Sequence, residues 1–251
     1  MLKKKWIIKM LSYKTIRGLI HAEDPYENIQ SVLKPFGIHA FNEGHVGEGI
    51  IDLIMQKKPK LIIEVGSWMG YSADKMATAL SSLNDEEAGI ICVDTWLGAN
   101  EFWATGQEND GWWNKDLSLS KDFFRNNHYK KLDLKCGYPT VYYNFLSNMY
   151  HKGWASKVCP FPQTSHIAAR WFKNNKVKAD MIYVDGSHEY EDVKIDLTSY
   201  YALLENDGIM FGDDFWITPV RQAVEEFASE NKMSLCKSRI SHAIWYLEKK
   251  D

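Results

Sequence analysis

The chain has 251 residues, of which 45% are hydrophobic, and a formal net charge of −3 at pH 7. This length predicts one large domain, and a nearly balanced charge without a long basic stripe disfavours nucleic acid as a partner. The four cysteines are widely separated and form no C-x-x-C pair. This spacing predicts free thiols in a reducing cytoplasm, and neither disulfides nor a zinc site.

Residues 1–39 predict a helical arm, broken by the Pro-Phe-Gly sequence at 35–37. Its first ten residues are basic and apolar, but lysines interrupt the apolar stretch and no small-residue cleavage site follows. We therefore expect no export signal, and no run reaches transmembrane length. The arm is predicted to be solvated, with docking on a membrane surface or a homo-oligomer contact as alternatives.

Residues 61–72 read Leu-Ile-Ile-Glu-Val-Gly-Ser-Trp-Met-Gly-Tyr-Ser, following a helical pattern over 46–55. An apolar run, a glycine turn and a helix from Tyr71 predict the first strand–turn–helix unit of a nucleotide-type α/β sheet. Trp68 stands where a dinucleotide fingerprint needs its second glycine, which disfavours NAD and FAD. Glu64 would repel a pyrophosphate but favours a cationic ligand, such as the sulfonium and ammonium groups of S-adenosylmethionine.

Strand and helix patterns alternate through the rest of the chain. Further strands are predicted at 90–94, 157–162, 180–185 and 208–214, with two closing antiparallel strands within 234–248. Further helices are predicted at 73–80, 121–126, 140–149, 168–172, 193–204 and 220–227. The alternation predicts an α/β, Rossmann-like, doubly wound fold: a mostly parallel seven-stranded sheet with an antiparallel C-terminal strand and helices on both faces.

The segment 96–120 shows no periodicity and is rich in Trp, Asn, Gly and Asp. Its aromatic residues argue against disorder, and a long loop inside a compact domain is usually functional. We predict an aromatic-rich insertion that forms an ordered lid over the substrate; alternatively, its aromatic residues pack the insertion onto the domain. The candidate substrate residues are Trp96, Trp103, Trp112 and Trp113.

Acidic residues follow three of the predicted strands. Asp94 follows the second strand, where a carboxylate can accept both hydroxyls of a ribose. Asp185 ends the fourth strand, and Asp213 and Asp214 end the fifth. These carboxylates suit Mg²⁺ or Mn²⁺, unless the last two merely begin a loop. His188 can act as a base, or equally as a helix-entry residue bonded to the backbone.

Several of these stretches together resemble a known enzyme family. Residues 64–77 resemble the first motif of catechol-type, class I S-adenosylmethionine-dependent O-methyltransferases, and 42–47 resemble their entry segment. Asp-Gly-Ser-His-Glu-Tyr at 185–190 and Gly-Asp-Asp-Phe at 212–215 resemble metal and active-site motifs of small bacterial-type methyltransferases, including those that modify sugars. The resemblance covers roughly residues 40 to 248 and implies a methyltransferase domain over 40–251.

The resemblance also implies a cofactor site. The residues that would line the methionine part of S-adenosylmethionine are Glu43, Gly44, Glu64, Gly66, Ser67, Gly70 and Ser72. Asp94 would hold the ribose, and the residues flanking the adenine would be Gln163, Thr164 and Ser165. Asp185 would complete this site.

For catalysis, the resemblance implies a divalent cation bound by Asp185, Asp213 and Asp214, with His188 and Asp185 as catalytic residues. The chain departs from the catechol enzymes at His188, where they carry a lysine thought to act as the base. The expected reaction is methyl transfer to a hydroxyl of a small polyhydroxylated acceptor, a sugar or glycan. The alternatives are a catechol-like phenol as acceptor, a nicotinamide-dependent oxidoreductase, or a non-catalytic binding module.

Overall fold

The computed structural model describes residues 11–27, 29, 45–103 and 128–249, and these are built around one mixed sheet. Its strands are β1 (Leu61–Val65), β2 (Gly89–Asp94), β3 (Val158–Pro162), β4 (Ala179–Val184), β5 (Leu204–Gly212), β6 (Met233–Lys237) and β7 (Trp245–Lys249). They lie in the order β3-β2-β1-β4-β5-β7-β6. β1 to β5 run parallel, and β7 pairs antiparallel with both β5 and β6. The predicted fold class is confirmed.

The α-helices among the described residues cover both faces of this sheet. They are α1 (Tyr13–Ile20), α2 (Val46–Lys57), α3 (Tyr71–Ser82), α4 (Val141–His151), α5 (Ser165–Asn174), α6 (Tyr190–Tyr201) and α7 (Thr218–Glu230). Buried residues of α2, α3 and α4 share one apolar cluster with the sheet, and those of α1, α5, α6 and α7 share the other. The predicted helix at 121–126 lies outside the described residues.

The two covered faces explain why the central strands have apolar side chains at nearly every position. All five residues of β1 are buried; Ile62 and Glu64 point to the face of α2 and α3, whereas Ile63 and Val65 point to the other, because side chains alternate along a strand. Glu64 is therefore the one polar side chain of this strand.

The strand order reverses between β1 and β4. These two strands are neighbours in the sheet although two strands separate them in the chain. Parallel sheets bind ligands outside the carboxyl ends of the strands at such a point. The backbone ties the ends together there: Gly66 N donates to Val93 O (2.9 Å), and Asp185 N donates to Val65 O (2.8 Å). The turn after β1, the start of the loop after β2 and the end of β4 thus form one edge.

Helix α1 packs on the domain. Tyr13 and Ile16 are buried, and the Tyr13 ring lies where a side chain at Gly89 would project. Arg17 Nη1 donates to the carbonyl of Ala155 (2.6 Å). Residues 11–27 of the predicted arm therefore contact the body of the domain, whereas residues 1–10 lie outside the described residues. The boundary at residue 39 and a homo-oligomer contact through the arm stay predictions.

The four cysteines are free thiols, as predicted. Cys92 and Cys159 are buried in β2 and β3, Cys136 is exposed and Cys236 is half-buried. No helix within the described residues combines the length and the apolar character that crossing a membrane requires.

Candidate active site

A cavity of about 710 Å³ opens at the carboxyl ends of the strands, a volume typical of small-molecule sites. It extends from the turn after β1 to the loop after β5. The predicted site residues that line it are Gly66, Ser67, Ser72, Asp94, Gln163, Thr164, Ser165, Asp185, His188, Asp213 and Asp214. The topology thus brings together eleven of the predicted residues.

The turn after β1 depends on Gly66. Its φ is +84°, and a Cβ at this position would lie 2.0 Å from the carbonyl oxygen of Asp185. Only glycine permits this close approach of two backbones, which brings the turn against the end of β4.

Contrary to the prediction, Glu64 does not line the cavity. Its side chain is fully buried, and its carboxylate accepts hydrogen bonds from Ser72 Oγ and from Ser67 Oγ (2.6 Å). Burial raises its pKa from 4.5 to about 7. Because Ser67 and Ser72 line the cavity, Glu64 holds their hydroxyl groups from the side away from it.

Gly70 also does not line the cavity. It is the N-cap residue of α3 and has a φ of +93°.

Asp94 organises the backbone around the predicted ribose position. One carboxylate oxygen accepts from the backbone N–H groups of Ser67 and Trp68 (both 2.9 Å), and the other accepts from Trp96 N (2.6 Å). Burial raises the pKa of Asp94 despite these bonds. The oxygen that accepts from Ser67 and Trp68 has both lone pairs engaged, whereas the one that accepts from Trp96 keeps a second lone pair and can accept a bond from one hydroxyl of a diol.

Thr164 Oγ1 and Trp68 Nε1 are buried polar atoms of cavity-lining residues, and neither has a hydrogen-bond partner in the described structure. A buried polar group without a partner costs about 1–3 kcal/mol. Thr164 stands at the predicted adenine position, and Trp68 stands in the turn after β1. A polar ligand in the cavity would remove both penalties, which fits a bound nucleoside.

At the other end of the cavity, Asp185, His188 and Asp214 each offer a ligand atom, and these atoms lie within 4.8 Å of one another. The predicted metal site contained Asp213 in place of His188. Asp213 also lines the cavity, but its Oδ1 accepts from Asp214 N (2.6 Å) and it lies outside the cluster. The backbone turns at Asp214, whose φ is +58°, so the two adjacent carboxylates have different surroundings.

Burial and mutual repulsion shift these carboxylates. Burial, then Asp214, then Asp213 raise the pKa of Asp185 well above its ordinary value. Burial and Asp214 raise that of Asp213 to about 7. Converging carboxylates with raised pKa values are the electrostatic signature of a place that a cation would stabilise.

His188 lies between two carboxylates. Its Nδ1 is 2.6 Å from Glu101 Oε1, and its Nε2 is 2.9 Å from Asp214 Oδ2. Burial would lower the pKa of His188, but Glu101 and Asp214 outweigh burial and raise it well above its ordinary value. Both ring nitrogens of His188 thus face carboxylates, and its role as the base stays a prediction.

The tryptophans of the predicted lid do not line the cavity in the described part of the insertion. Trp96 is fully buried, packs against Phe145 with the two rings tilted, and donates from Nε1 to Trp68 O (2.8 Å). It is therefore a core residue. Trp103 is 39% exposed and donates from Nε1 to Leu97 O (2.8 Å). The predicted substrate contact of Trp96 does not fit its burial in the core, whereas that of Trp103 stays a prediction.

Four predicted site residues, Glu43, Gly44, Trp112 and Trp113, lie outside the described residues. Conversely, sequence reasoning missed Glu101, Phe102 and Trp216, which all line the cavity. Phe102 packs edge-on against Trp68 at 4.5 Å. The only available signal was an acid beside two aromatic residues at the start of the insertion.

Residues 63–215 match a family model described as a methyltransferase domain, which covers more than half of the chain and the whole cavity edge from β1 to β5. The chain belongs to this methyltransferase family. No protein of curated function matches it in sequence.

Solved methyltransferase structures share the fold. The Podospora anserina methyltransferase PaMTH1, bound to SAH, is 15% identical, with a TM-score of 0.52 over 82% of this chain and 78% of that one. The calicheamicin methyltransferase CalS11 is 16% identical, with a TM-score of 0.53 over 82% and 77%. A Bacillus cereus O-methyltransferase in complex with SAH is 14% identical, with a TM-score of 0.51 over 93% and 100%. At these identities the likeness shows the fold alone.

Proposed function

We propose that this methyltransferase transfers the methyl group of S-adenosylmethionine to a hydroxyl of a small polyhydroxylated acceptor, assisted by a divalent cation. The observation that carries the proposal is the continuity of the cavity. It joins the turn after β1, which fits a cofactor, to the cluster of Asp185, His188 and Asp214.

The residues present fit S-adenosylmethionine. Ser67 and Ser72 present hydroxyls at the methionine end, backed by Glu64. Asp94 Oδ1 can accept a ribose hydroxyl, and the buried Thr164 Oγ1, at the predicted adenine position, has no hydrogen-bond partner in the described structure. Fold neighbours from Podospora anserina and Bacillus cereus contain SAH, which supports the same class of cofactor here.

The donor set also fits a divalent cation such as Mn²⁺ or Mg²⁺, because two carboxylates and an imidazole nitrogen converge at the cavity. When bound there, the cation would polarise an acceptor hydroxyl and favour its alkoxide form. We assign Asp185, His188 and Asp214 as its ligands. Asp213 lies outside the cluster and is left for another role.

In the transfer step, the acceptor oxygen forms a bond to the methyl carbon while the carbon–sulfur bond breaks and its electron pair stays on sulfur, giving S-adenosylhomocysteine. The protein must place oxygen and sulfur in line on either side of the methyl group. We assign the proton of the acceptor hydroxyl to Asp213, a carboxylate that lines the cavity and is held by Asp214 N.

The acceptor end suits a hydroxylated ring. Carboxylates at 185, 213 and 214 can bond hydroxyls, and Phe102 and Trp216 supply aromatic surface at the same cavity. We infer a sugar or glycan as the acceptor, with a catechol-like phenol as the alternative. The free thiols suit a reducing compartment, so we place the reaction in the cytoplasm.

The test is methyl transfer from isotope-labelled S-adenosylmethionine to matched panels of sugars, glycans and catechols, with Mn²⁺, with Mg²⁺ and with a chelator. We expect metal-dependent labelling of a sugar. Asp214→Asn should weaken Mn²⁺ binding about 10-fold or more, whereas Asp213→Asn should lower the rate and leave Mn²⁺ affinity nearly unchanged. Full activity in the chelator would contradict the metal role. Labelling of catechols alone would show that the acceptor is a phenol and not a sugar.

A further inference from the structure

Glu101 is a buried carboxylate that two aromatic residues, Phe102 and Trp103, follow in the chain. It lies in the 3-10 helix Asn100–Trp103, is only 2% exposed and lines the cavity. Burying a charged group costs several kcal/mol unless a partner compensates it. Its partner is His188, whose Nδ1 lies 2.6 Å from Glu101 Oε1. Burial would raise the pKa of Glu101, but His188 outweighs burial and lowers it.

The contact fixes the orientation of the imidazole. With Nδ1–H directed at Glu101, the opposite nitrogen, Nε2, faces Asp214 Oδ2 at 2.9 Å. Nε2 therefore lies on the side of Asp214, which belongs with His188 and Asp185 to the cluster. Histidines that bind metals almost always donate their other N–H to a carboxylate, carbonyl or water, which sets the tautomer and the ring plane.

We propose that Glu101 is a positioning residue of the metal site: it holds His188 so that Nε2 completes a ligand set of two carboxylates and one imidazole. This inference rests on the metal part of the proposed function. It also joins the insertion after β2 to the loop after β4, because Glu101 belongs to the first and His188 to the second.

Glu101 itself is held from the insertion side. The next residue, Phe102, packs on Trp68 (4.5 Å between ring centroids) and on His128 (4.8 Å). These contacts fix the short helix over the turn after β1 and limit the movement of the Glu101 backbone. Glu101 thus comes from a packed element, as a positioning group requires.

The experiment is titration of the full-length protein with Mn²⁺ alone, with unbound Mn²⁺ measured by electron paramagnetic resonance. We expect one Mn²⁺ per wild-type chain and a Kd about 10- to 100-fold higher for Glu101→Ala. Glu101→Gln should stay close to wild type, because its amide carbonyl still accepts from Nδ1–H. Glu101→Asp, whose shorter side chain draws the carboxylate back, should weaken binding and decides the test if Glu101→Ala does not fold.

Two controls separate positioning from general structure. SAH affinity should be unchanged in all Glu101 variants, and Glu86→Ala, at an exposed site remote from the cavity, should bind Mn²⁺ like wild type. Parallel loss of SAH and Mn²⁺ affinity would assign Glu101 a structural role and overturn the proposal.

The remaining outcomes distinguish this inference from the proposed function. If wild type binds Mn²⁺ and both Glu101→Ala and Glu101→Asp bind it equally well, the positioning role is wrong and the metal site stands. If wild type binds no Mn²⁺, the metal part of the proposed function is wrong, and the positioning role with it.

Discussion

Replacing Glu64 by glutamine should make the stability of the protein less dependent on pH. Glu64 is fully buried beneath the turn after β1, and burial raises its pKa from 4.5 to about 7. In the unfolded chain the carboxyl loses its proton near pH 4.5, whereas in the folded chain it keeps it to about pH 7. Between these values the unfolded state binds fewer protons, so stability falls as pH rises.

The magnitude follows from the size of the shift. Between pH 5 and pH 8, a carboxyl shifted from 4.5 to about 7 removes about 2.5 kcal/mol from the free energy of unfolding. Glutamine does not titrate and can still bond Ser67 and Ser72. The difference in unfolding free energy between Glu64→Gln and wild type should therefore increase by about 2.5 kcal/mol over this range, or roughly 5 to 10 °C in relative Tm.

Urea unfolding at pH 5 and pH 8 measures this difference directly, and any constant effect of the substitution cancels between the two conditions. Glu225→Gln, at an exposed position on α7, is the matched control and should follow wild type at both pH values. The reasoning is refuted if the difference between Glu64→Gln and wild type changes by less than about 1 kcal/mol.

Three further substitutions test the site and the fold. Gly66→Ala should lower the free energy of unfolding in urea by more than about 3 kcal/mol, because its Cβ would meet Asp185 O at 2.0 Å. The control is Gly153→Ala, which has a similar φ of +82° and nothing within 4 Å; it should lower the free energy of unfolding by only about 1–2 kcal/mol. Equal costs would show that the close approach is unimportant. Tyr13→Ala should destabilise the protein by about 3 kcal/mol, because the ring is buried against the sheet. The control is Leu19→Ala, at a residue 52% exposed on the same helix, which should change stability by less than about 0.5 kcal/mol. An unchanged stability of Tyr13→Ala would show that α1 does not pack on the core. Thr164→Val should raise the Kd for SAH about 5- to 10-fold by calorimetry without loss of stability, and unchanged affinity would place the adenine elsewhere.

The sequence predicted the sheet well because its signals are local. The apolar runs that form β1 and β4 are buried at nearly every position, and each is followed by a turn and a helix. The edge of the sheet then brings Asp94, Asp185 and Asp214 to one cavity, as parallel strands require. Strand alternation also explains Glu64: it lies one residue before the end of β1, so it points to a face of the sheet and not to the edge.

What the sequence could not predict depends on contacts between distant segments. Glu101 and His188 are 87 positions apart, and Glu101 sits in a stretch without periodicity, so nothing local pairs them. Trp96 was predicted to contact substrate because it begins the aromatic insertion, yet its ring turns back into the core beside Phe145. The exclusion of Asp213 from the cluster follows from the backbone turn at Asp214, which residue type alone does not encode.

Calorimetric titration of the purified protein with S-adenosylhomocysteine, and separately with NADH, tests the central claim that the cavity binds S-adenosylmethionine. We predict one saturable site per chain for S-adenosylhomocysteine, weakened by Thr164→Val, and no binding of NADH, because Trp68 blocks the approach of a pyrophosphate. Binding of NADH without binding of S-adenosylhomocysteine would contradict the account.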